Sequence, residues 1–143
     1  MKYLYHSIII ISDIYLYLSS FFLKKNKKIL EGRKKTINYI YEKIPDYEKI
    51  IMIHVSSVGE FEQAKPIIEE IKKRFLYKIL ITYFSSSAEN PISNFKHVDY
   101  NFYLPSDKKS SIKKIFKLIN PKIILLIKYE FWRNLIVEAE KKS

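Results

Sequence analysis

The chain has 143 residues, 26 Lys or Arg against 15 Asp or Glu, and a formal net charge of +11. Hydrophobic residues are 48% and charged residues 29%, which suits one core with a small appendage and excludes a disordered tail or a polytopic membrane protein. The lack of Cys excludes disulfides, thiolate metal sites and a Cys nucleophile; three His argue against a zinc site, and two Gly exclude a Gly-rich dinucleotide loop or a Walker loop.

Residues 3–23 form an almost wholly apolar run, long enough at ~1.5 Å per residue to cross a hydrocarbon core. His6 and Asp13 interrupt it, and an Asp at mid-bilayer costs roughly 2.5–3.5 kcal/mol. An anchor or an interfacial helix is therefore expected rather than a clean span; the alternative is an amphipathic helix buried in a soluble domain. No small-residue cleavage site follows, which argues against a secretory signal. Lys24 to Lys35 then hold seven basic residues and Glu31, a local charge of +6. Such a collar stays on the cytoplasmic side and attracts anionic headgroups. Residues 1–35 are thus expected to be a membrane-associated helix with its collar, and residues 36–143 a domain on the cytoplasmic side.

A polar helical stretch is expected near Thr36–Lys43, and Pro45-Asp46 opens the globular part. Ile50–Val55 reads as a buried strand, Glu60–Phe75 as a helix, and Lys78–Tyr83 as a second strand. Ala88–Phe95 is a short helix or turn, Val98–Tyr103 a third strand, and Ser106–Ile119 a helix that Asn120-Pro121 breaks. Lys122–Ile127 is a fourth strand and Phe131–Lys142 the last helix. Short strands that are apolar throughout, alternating with helices, predict an α/β fold with a Rossmann-like parallel sheet covered on both faces.

Ligands on such sheets bind beyond the carboxyl ends of the strands. After the first strand come Ser56, Ser57, Val58, Gly59 and Glu60. Gly59 allows close backbone approach or positive φ, and the helix start offers N–H groups to an anion. Glu60 has two readings: a general base within reach of a substrate hydroxyl, or the acid of a capping box with Ser57. Ser85, Ser86 and Ser87 after the second strand suit phosphate or sugar oxygens, or a helix cap. Lys128, Tyr129, Glu130, Phe131, Trp132 and Arg133 gather charge and aromatic surface after the fourth strand. Lys65, in the first helix of the domain, lies either toward a ligand or on a solvated face.

These segments together resemble a family. Ile53 to Glu60 followed by Ala64 to Ile68, the Tyr-Leu-Pro-x-Asp of residues 103–107, Asn120 to Ile124, and Glu130 to Asn134 match, in order, motifs of 3-deoxy-D-manno-octulosonic acid (Kdo) transferases. The Glu31-Gly32-Arg33 collar behind an apolar helix fits as well. The resemblance runs from about residue 3 to the last residue. It implies the N-terminal, acceptor-binding half of a GT-B glycosyltransferase at the inner membrane. The enzyme would transfer Kdo from CMP-Kdo to a lipid A precursor, lipid IVA, with no cofactor and no active-site metal. The family's general base maps onto Glu60. Ser57, Gly59, Lys65, Ser85, Ser87 and Arg133 are the expected acceptor-binding residues, with Glu130 matching a second acid. Lys128 replaces an acid thought to assist the transition state, Arg133 replaces a Pro, and Ala88 stands where a Gly is usual.

The resemblance also implies that the donor domain lies outside these residues, so the chain alone is expected to bind acceptor and transfer nothing. A non-catalytic, membrane-tethered binding module derived from such an enzyme is the competing reading. Nucleic acid is not an expected partner: 23 of the 26 basic residues are Lys, and the Arg clusters and interleaved aromatic patch of such proteins are missing. Ile, Lys, Tyr, Phe and Asn, all with A/T-rich codons, are plentiful, so the charge has two readings, compositional drift or an acidic partner.

Overall fold

A computed structural model describes residues 2–128 and 131–141. Its elements are α1 (Lys2–Ser19), α2 (Lys24–Lys43), β1 (Ile50–Val55), α3 (Val58–Arg74), β2 (Lys78–Tyr83), α4 (Glu89–Ser93), β3 (Tyr100–Tyr103), α5 (Lys109–Ile119), β4 (Ile123–Leu126) and α6 (Arg133–Glu140). The four strands form one parallel sheet in the order β3-β2-β1-β4. The expected α/β architecture is therefore present.

The apolar strands explain the layering. In β1, Ile51, Ile53 and Val55 face α3 and α4 and pack with Phe61, Ala64, Ile68 and Ile92. Ile50 and Met52 face the other side, with Ile112, Ile115, Phe116 and Leu135 of α5 and α6. Every residue of β1 is buried, as a central parallel strand requires. The chain first winds β1-β2-β3 with helices on one face, then crosses back to β4 with α5 on the other. That reversal falls between β1 and β4.

Element boundaries shift from the sequence expectation: α3 starts at Val58 rather than Glu60, α4 shortens to Glu89–Ser93, β4 to Ile123–Leu126, and α6 starts at Arg133 rather than Phe131. The third strand starts at Tyr100 because the Val98 N–H closes a turn onto Phe95 O. α5 starts at Lys109 rather than Ser106, because Ser106 and Asp107 have other partners. The collar is itself helical. Asn26, Ile29, Thr36 and Ile40 are buried at helical spacing along α2, so one helix runs through the charged stretch.

α2 closes the outer edge of β3. Thr36 Oγ1 donates to Tyr103 O at 2.9 Å, and the Asn101 N–H donates to Tyr39 Oη at 3.3 Å. Gly32 makes the approach possible, since a Cβ there would overlap the buried Tyr103 ring.

α1 lies across the carboxyl ends of the strands with Tyr5 and Asp13 inward. Asp13 pairs with Lys108 Nζ at 2.8 Å and Arg33 Nη1 at 3.5 Å, and accepts from Ser106 Oγ at 2.7 Å. Tyr5 Oη donates to Asp107 Oδ2 at 2.5 Å and accepts from the Arg133 N–H at 3.2 Å. Asp107 is fully buried and also accepts from the Asn134 and Leu135 N–H groups at 2.9 and 3.0 Å. It thus caps α6 from a distant loop, since the N-cap residue Trp132 supplies no side-chain bond. Burial pushes the Asp107 pKa up, against the hydrogen bonds from Tyr5, Asn134 and Leu135.

Of α1's side chains, Leu16 alone among those described is fully buried, while Leu4, Ile8, Ile11, Tyr15 and Leu18 form an exposed helical stripe. The helix is not the buried amphipathic element of a soluble core. Neither α1 nor any other described helix is by itself long and apolar enough to cross a membrane; α1 and α2 together have the composition but meet at a 120° bend.

Two stability outcomes follow from these contacts. Gly32→Ala forces the Tyr103 ring off its position between α2 and β3 and should cost about 1–3 kcal/mol. Asp107→Ala strands two backbone N–H groups of α6 and should cost about 2 kcal/mol. Urea unfolding of each variant, followed by circular dichroism, measures both; an unchanged midpoint refutes the corresponding contact.

Candidate active site

The strand order reverses between β1 and β4, and the carboxyl edge at such a reversal, where parallel α/β sheets hold ligands, is the candidate crevice. The loop after β1 and the residues after β4 form its two lips. The Ser85 N–H donates to Ser56 O at 3.0 Å, which sets the loop after β2 beside the loop after β1. The expected segments Ser56–Glu60 and Ser85–Ser87 are thus brought together.

The capping geometry expected of Glu60 is present. Ser57 is the N-cap of α3, and its Oγ accepts from the Glu60 N–H at 3.4 Å. Glu60 Oε2 reaches back to the Ser56 N–H, one residue further than in the usual capping box. That bond fixes the carboxylate at the mouth of the crevice. Its other oxygen, Oε1, has no hydrogen-bond partner among the described residues. The carboxylate is half-buried, with one oxygen anchored and one available.

Gly59 does not have the positive φ considered from sequence; it is an ordinary helical residue of α3. A Cβ there would meet only Ser57 Oγ, at 4.0 Å, so the position is open rather than crowded. Ser85 Oγ and Ser87 Oγ share a 2.8 Å hydrogen bond at the surface. Lys65 pairs with Glu62 at 2.6 Å and lies 5.3 and 5.6 Å from the ring centroids of Phe61 and Phe95. It lies a turn and more along α3 from Glu60. Lys128 is exposed and holds a left-handed φ of 60°, uncommon for a side chain of its size. The Arg133 charge acts on Asp107 and Tyr5 at the start of α6. Glu130 lies outside the described residues.

Beneath these loops is a layer that joins Trp132 and Arg33, named separately in the sequence, to His54, Thr82 and Phe84. His54, the fifth residue of β1, is buried, and its Nδ1 lies 3.0 Å from Thr82 Oγ1. Its ring meets Trp132 edge-on at 4.9 Å, and Trp132 lies 6.3 Å from Phe84. The Arg33 guanidinium sits 5.1 Å from the centre of the Phe84 ring. Burial drives the His54 pKa down to about 3, and the nearby Arg33 charge adds to the effect, so the imidazole is neutral at physiological pH. Arg33 is itself largely buried; Asp13 supports its charge, while Nε has no hydrogen-bond partner among the described residues. The floor of the crevice is therefore aromatic with a positive charge beneath it. The sequence signal was present in part: Arg33 lies on the same helical stripe as Ile29, Thr36 and Ile40, hidden by the surrounding lysines.

The comparisons agree with this architecture. Residues 26–143 match the family model described as 3-deoxy-D-manno-octulosonic-acid transferase (kdotransferase). A 3-deoxy-D-manno-octulosonic acid transferase of Aquifex aeolicus is 32% identical over 101 residues, 67% of this chain and 27% of the relative. One of Haemophilus influenzae is 30% identical over 88 residues, 60% of this chain and 21% of the relative. A bifunctional glycosyltransferase/methyltransferase of Fusobacterium nucleatum is 29% identical over 125 residues, 85% of this chain and 19% of the relative. The chain thus spans about a quarter or less of the length of these relatives. The family match covers most of the sequence, including both lips of the crevice, and the chain belongs to the 3-deoxy-D-manno-octulosonic-acid transferase (kdotransferase) family.

Proposed function

We propose that this chain is the acceptor-binding part of a glycosyltransferase that moves Kdo from CMP-Kdo to a lipid A precursor, lipid IVA, at the cytoplasmic face of the inner membrane. The observation that carries the reading is Glu60, anchored through Oε2 at the carboxyl edge with Oε1 available beside the reversal of the sheet. Glu60 takes the proton of an acceptor hydroxyl as that oxygen bonds to the anomeric carbon of Kdo. The bond from that carbon to the phosphate oxygen breaks, and CMP leaves with the electron pair. A carboxylate held by a backbone N–H meets the positional demand on a general base without further reorganisation.

α1 supports the membrane part of the reading. Its outward stripe of Leu4, Ile8, Ile11, Tyr15 and Leu18 suits an interfacial helix. Beside it the collar carries +6, which suits anionic headgroups and the phosphates of a lipid acceptor. Asp13, which would oppose insertion, is turned inward onto Lys108 and Arg33. The donor sugar nucleotide belongs to the part of the relatives that this chain does not span. A membrane-tethered binding module is the second reading, favoured by Lys128 at a position where the family has an acid.

Two experiments test these statements. In a chimera of residues 1–143 with the C-terminal remainder of the Aquifex aeolicus relative, Glu60→Gln should slow Kdo transfer to lipid IVA roughly 10²–10⁴-fold. A rate within a few-fold of the unsubstituted chimera removes Glu60 as the base, and acceptor binding without transfer in either protein favours the binding module. For membrane association, the Ile11→Glu/Tyr15→Glu double variant should partition at least about tenfold less onto phosphatidylglycerol vesicles in flotation assays. Equal partitioning refutes the interfacial role of α1.

A further inference from the structure

A second opening lies beside β3. The alternation of that strand puts Asn101 and Tyr103 on the face that carries α4, and Phe102 on the face of α5. Over Asn101 and Tyr103, between α2 and α4, is a cavity of about 350 Å³. In the strand order β3-β2-β1-β4 the loop after β2 separates it from Glu60, which follows β1. β1 and β3 are two strand spacings apart, roughly 10 Å, so the cavity is not part of the Glu60 site.

Its polar groups converge and are only partly used. Asn101 Oδ1 accepts from Tyr83 Oη and Ser93 Oγ, both at a long 3.4 Å. Asn101 Nδ2 has no hydrogen-bond partner among the described residues, so two donors are available. Tyr39 Oη accepts from the Asn101 N–H at 3.3 Å and keeps its own proton to give. On the α2 wall, Glu31 and Lys35 lie one turn apart, and neither has an ion-pair partner among the described residues. Opposite them, Glu89 accepts from Tyr103 Oη at 2.9 Å and pairs with Lys28 at 2.6 Å, which ties α4 to α2. Burial, with Glu89 nearby, pushes the Tyr83 and Tyr103 pKa values up, so both phenols stay protonated.

This lining selects a class of ligand. Two lysines face two glutamates, so it has no surplus of positive charge for a phosphate and no surplus of negative charge for a cation. The Tyr83 and Tyr103 residues are 2% and 3% exposed, so their rings offer no open face on which a nucleobase could stack. A carboxamide donor, a carboxylate acceptor, an ammonium and phenol hydroxyls instead complement a small neutral ligand with several hydroxyls, each of them donor and acceptor at once.

We propose that the cavity between α2, β3 and α4 is a saccharide-binding site that takes one neutral sugar ring, with Asn101 Nδ2 and Tyr39 Oη donating to its hydroxyl oxygens and Glu31 accepting from a hydroxyl. Lys35 gives a further donor to the same ring. The site is separate from the candidate base and does not depend on Glu60 acting as one. The exposed Ser85 and Ser87 hydroxyls lie on the loop between the two sites, so a saccharide seated in the cavity can run on toward Glu60. The ring is therefore either part of the molecule that reaches Glu60 or a separate saccharide.

Amide NMR on the isotope-labelled 143-residue chain tests it, with N-acetylglucosamine as the probe. Titration should shift the Asn101 side-chain amide signal and the Gly32 and Tyr103 backbone signals, and the shifts should saturate. Asn101→Ala removes two long contacts, and Glu31→Ala removes an exposed side chain without an ion pair among the described residues. Each should weaken binding roughly tenfold and leave the urea unfolding midpoint in place. Absence of a saturable shift at these signals overturns the proposal. So do equal shifts from inorganic phosphate, which would make the cavity an anion site on the collar lysines. If Asn101→Ala lowers the midpoint, Glu31→Ala decides, and unchanged affinity there overturns the proposal. Lipid IVA in detergent micelles then separates the two sources of the ring. It displaces N-acetylglucosamine where the ring belongs to the acceptor and leaves it bound where the saccharide is a separate one. Binding is read without any transfer, so this site and the role of Glu60 stand or fall separately.

Discussion

The position of β1 between β2 and β4 is the constraint on which the candidate site depends. All four strands are parallel, so every loop that follows a strand emerges at one edge. Helices on the two faces wind in opposite directions from β1, so the loops after β1 and β4 diverge and leave a crevice. Glu60 stands on one lip because α3 starts immediately after β1, and Lys128 on the other because β4 ends there. A different strand order with the same helices would part these residues. The site is thus a consequence of winding before it is a consequence of side-chain chemistry.

α1 depends on the same edge. An apolar helix packs by burying its apolar face, yet this one turns Asp13 and Tyr5 inward and most of its aliphatic surface outward. The inward contacts reach elements that are distant in sequence: Asp13 meets α2 and the loop after β3, and Tyr5 meets Asp107 and the start of α6. Asp107 in turn holds the start of α6. A helix with an exposed apolar face is therefore bonded through Tyr5 and Asp13 to both the collar helix and the last helix. The exposed helix and the carboxyl edge of the sheet share one polar network. Lys108, Arg33 and Arg133 supply its positive side, so three of the excess cations have a defined structural task.

Much of the layer architecture was legible because parallel strands must be apolar on both faces. Ile50–Val55 and Lys78–Tyr83 end where expected, and Asn120 adopts the left-handed conformation that stops α5. The motif spacing around Ser57 and Glu60 carried the cap, which is present in the geometry. What sequence could not resolve were contacts made across long separations. Asp107 falls inside the helix expected over Ser106–Ile119, and only the folded chain shows it capping α6. Asp13 reads as a cost to membrane insertion, because nothing nearby in sequence announces Lys108 as its partner. The collar reads as charge, and the buried stripe of Ile29, Arg33, Thr36 and Ile40 is masked by the lysines between its members.

The capping and catalytic readings of Glu60 are not rivals. A general base must hold one lone pair at a fixed place, and a flexible Glu side chain has several rotamers to lose before it can do so. Binding Oε2 to the Ser56 N–H removes that freedom in the folded state, before any acceptor arrives. The cap also sets the Glu60 backbone, since its own N–H is held by Ser57. The contact that closes the start of α3 is thus the one that orients the carboxylate, and Ser57 acts on the site by positioning Glu60. The same logic separates Glu60 from Lys65, which is on the same helix but spends its charge on Glu62. Placement at the carboxyl edge, an anchored oxygen and an available one distinguish Glu60 from the other acidic residues of α3.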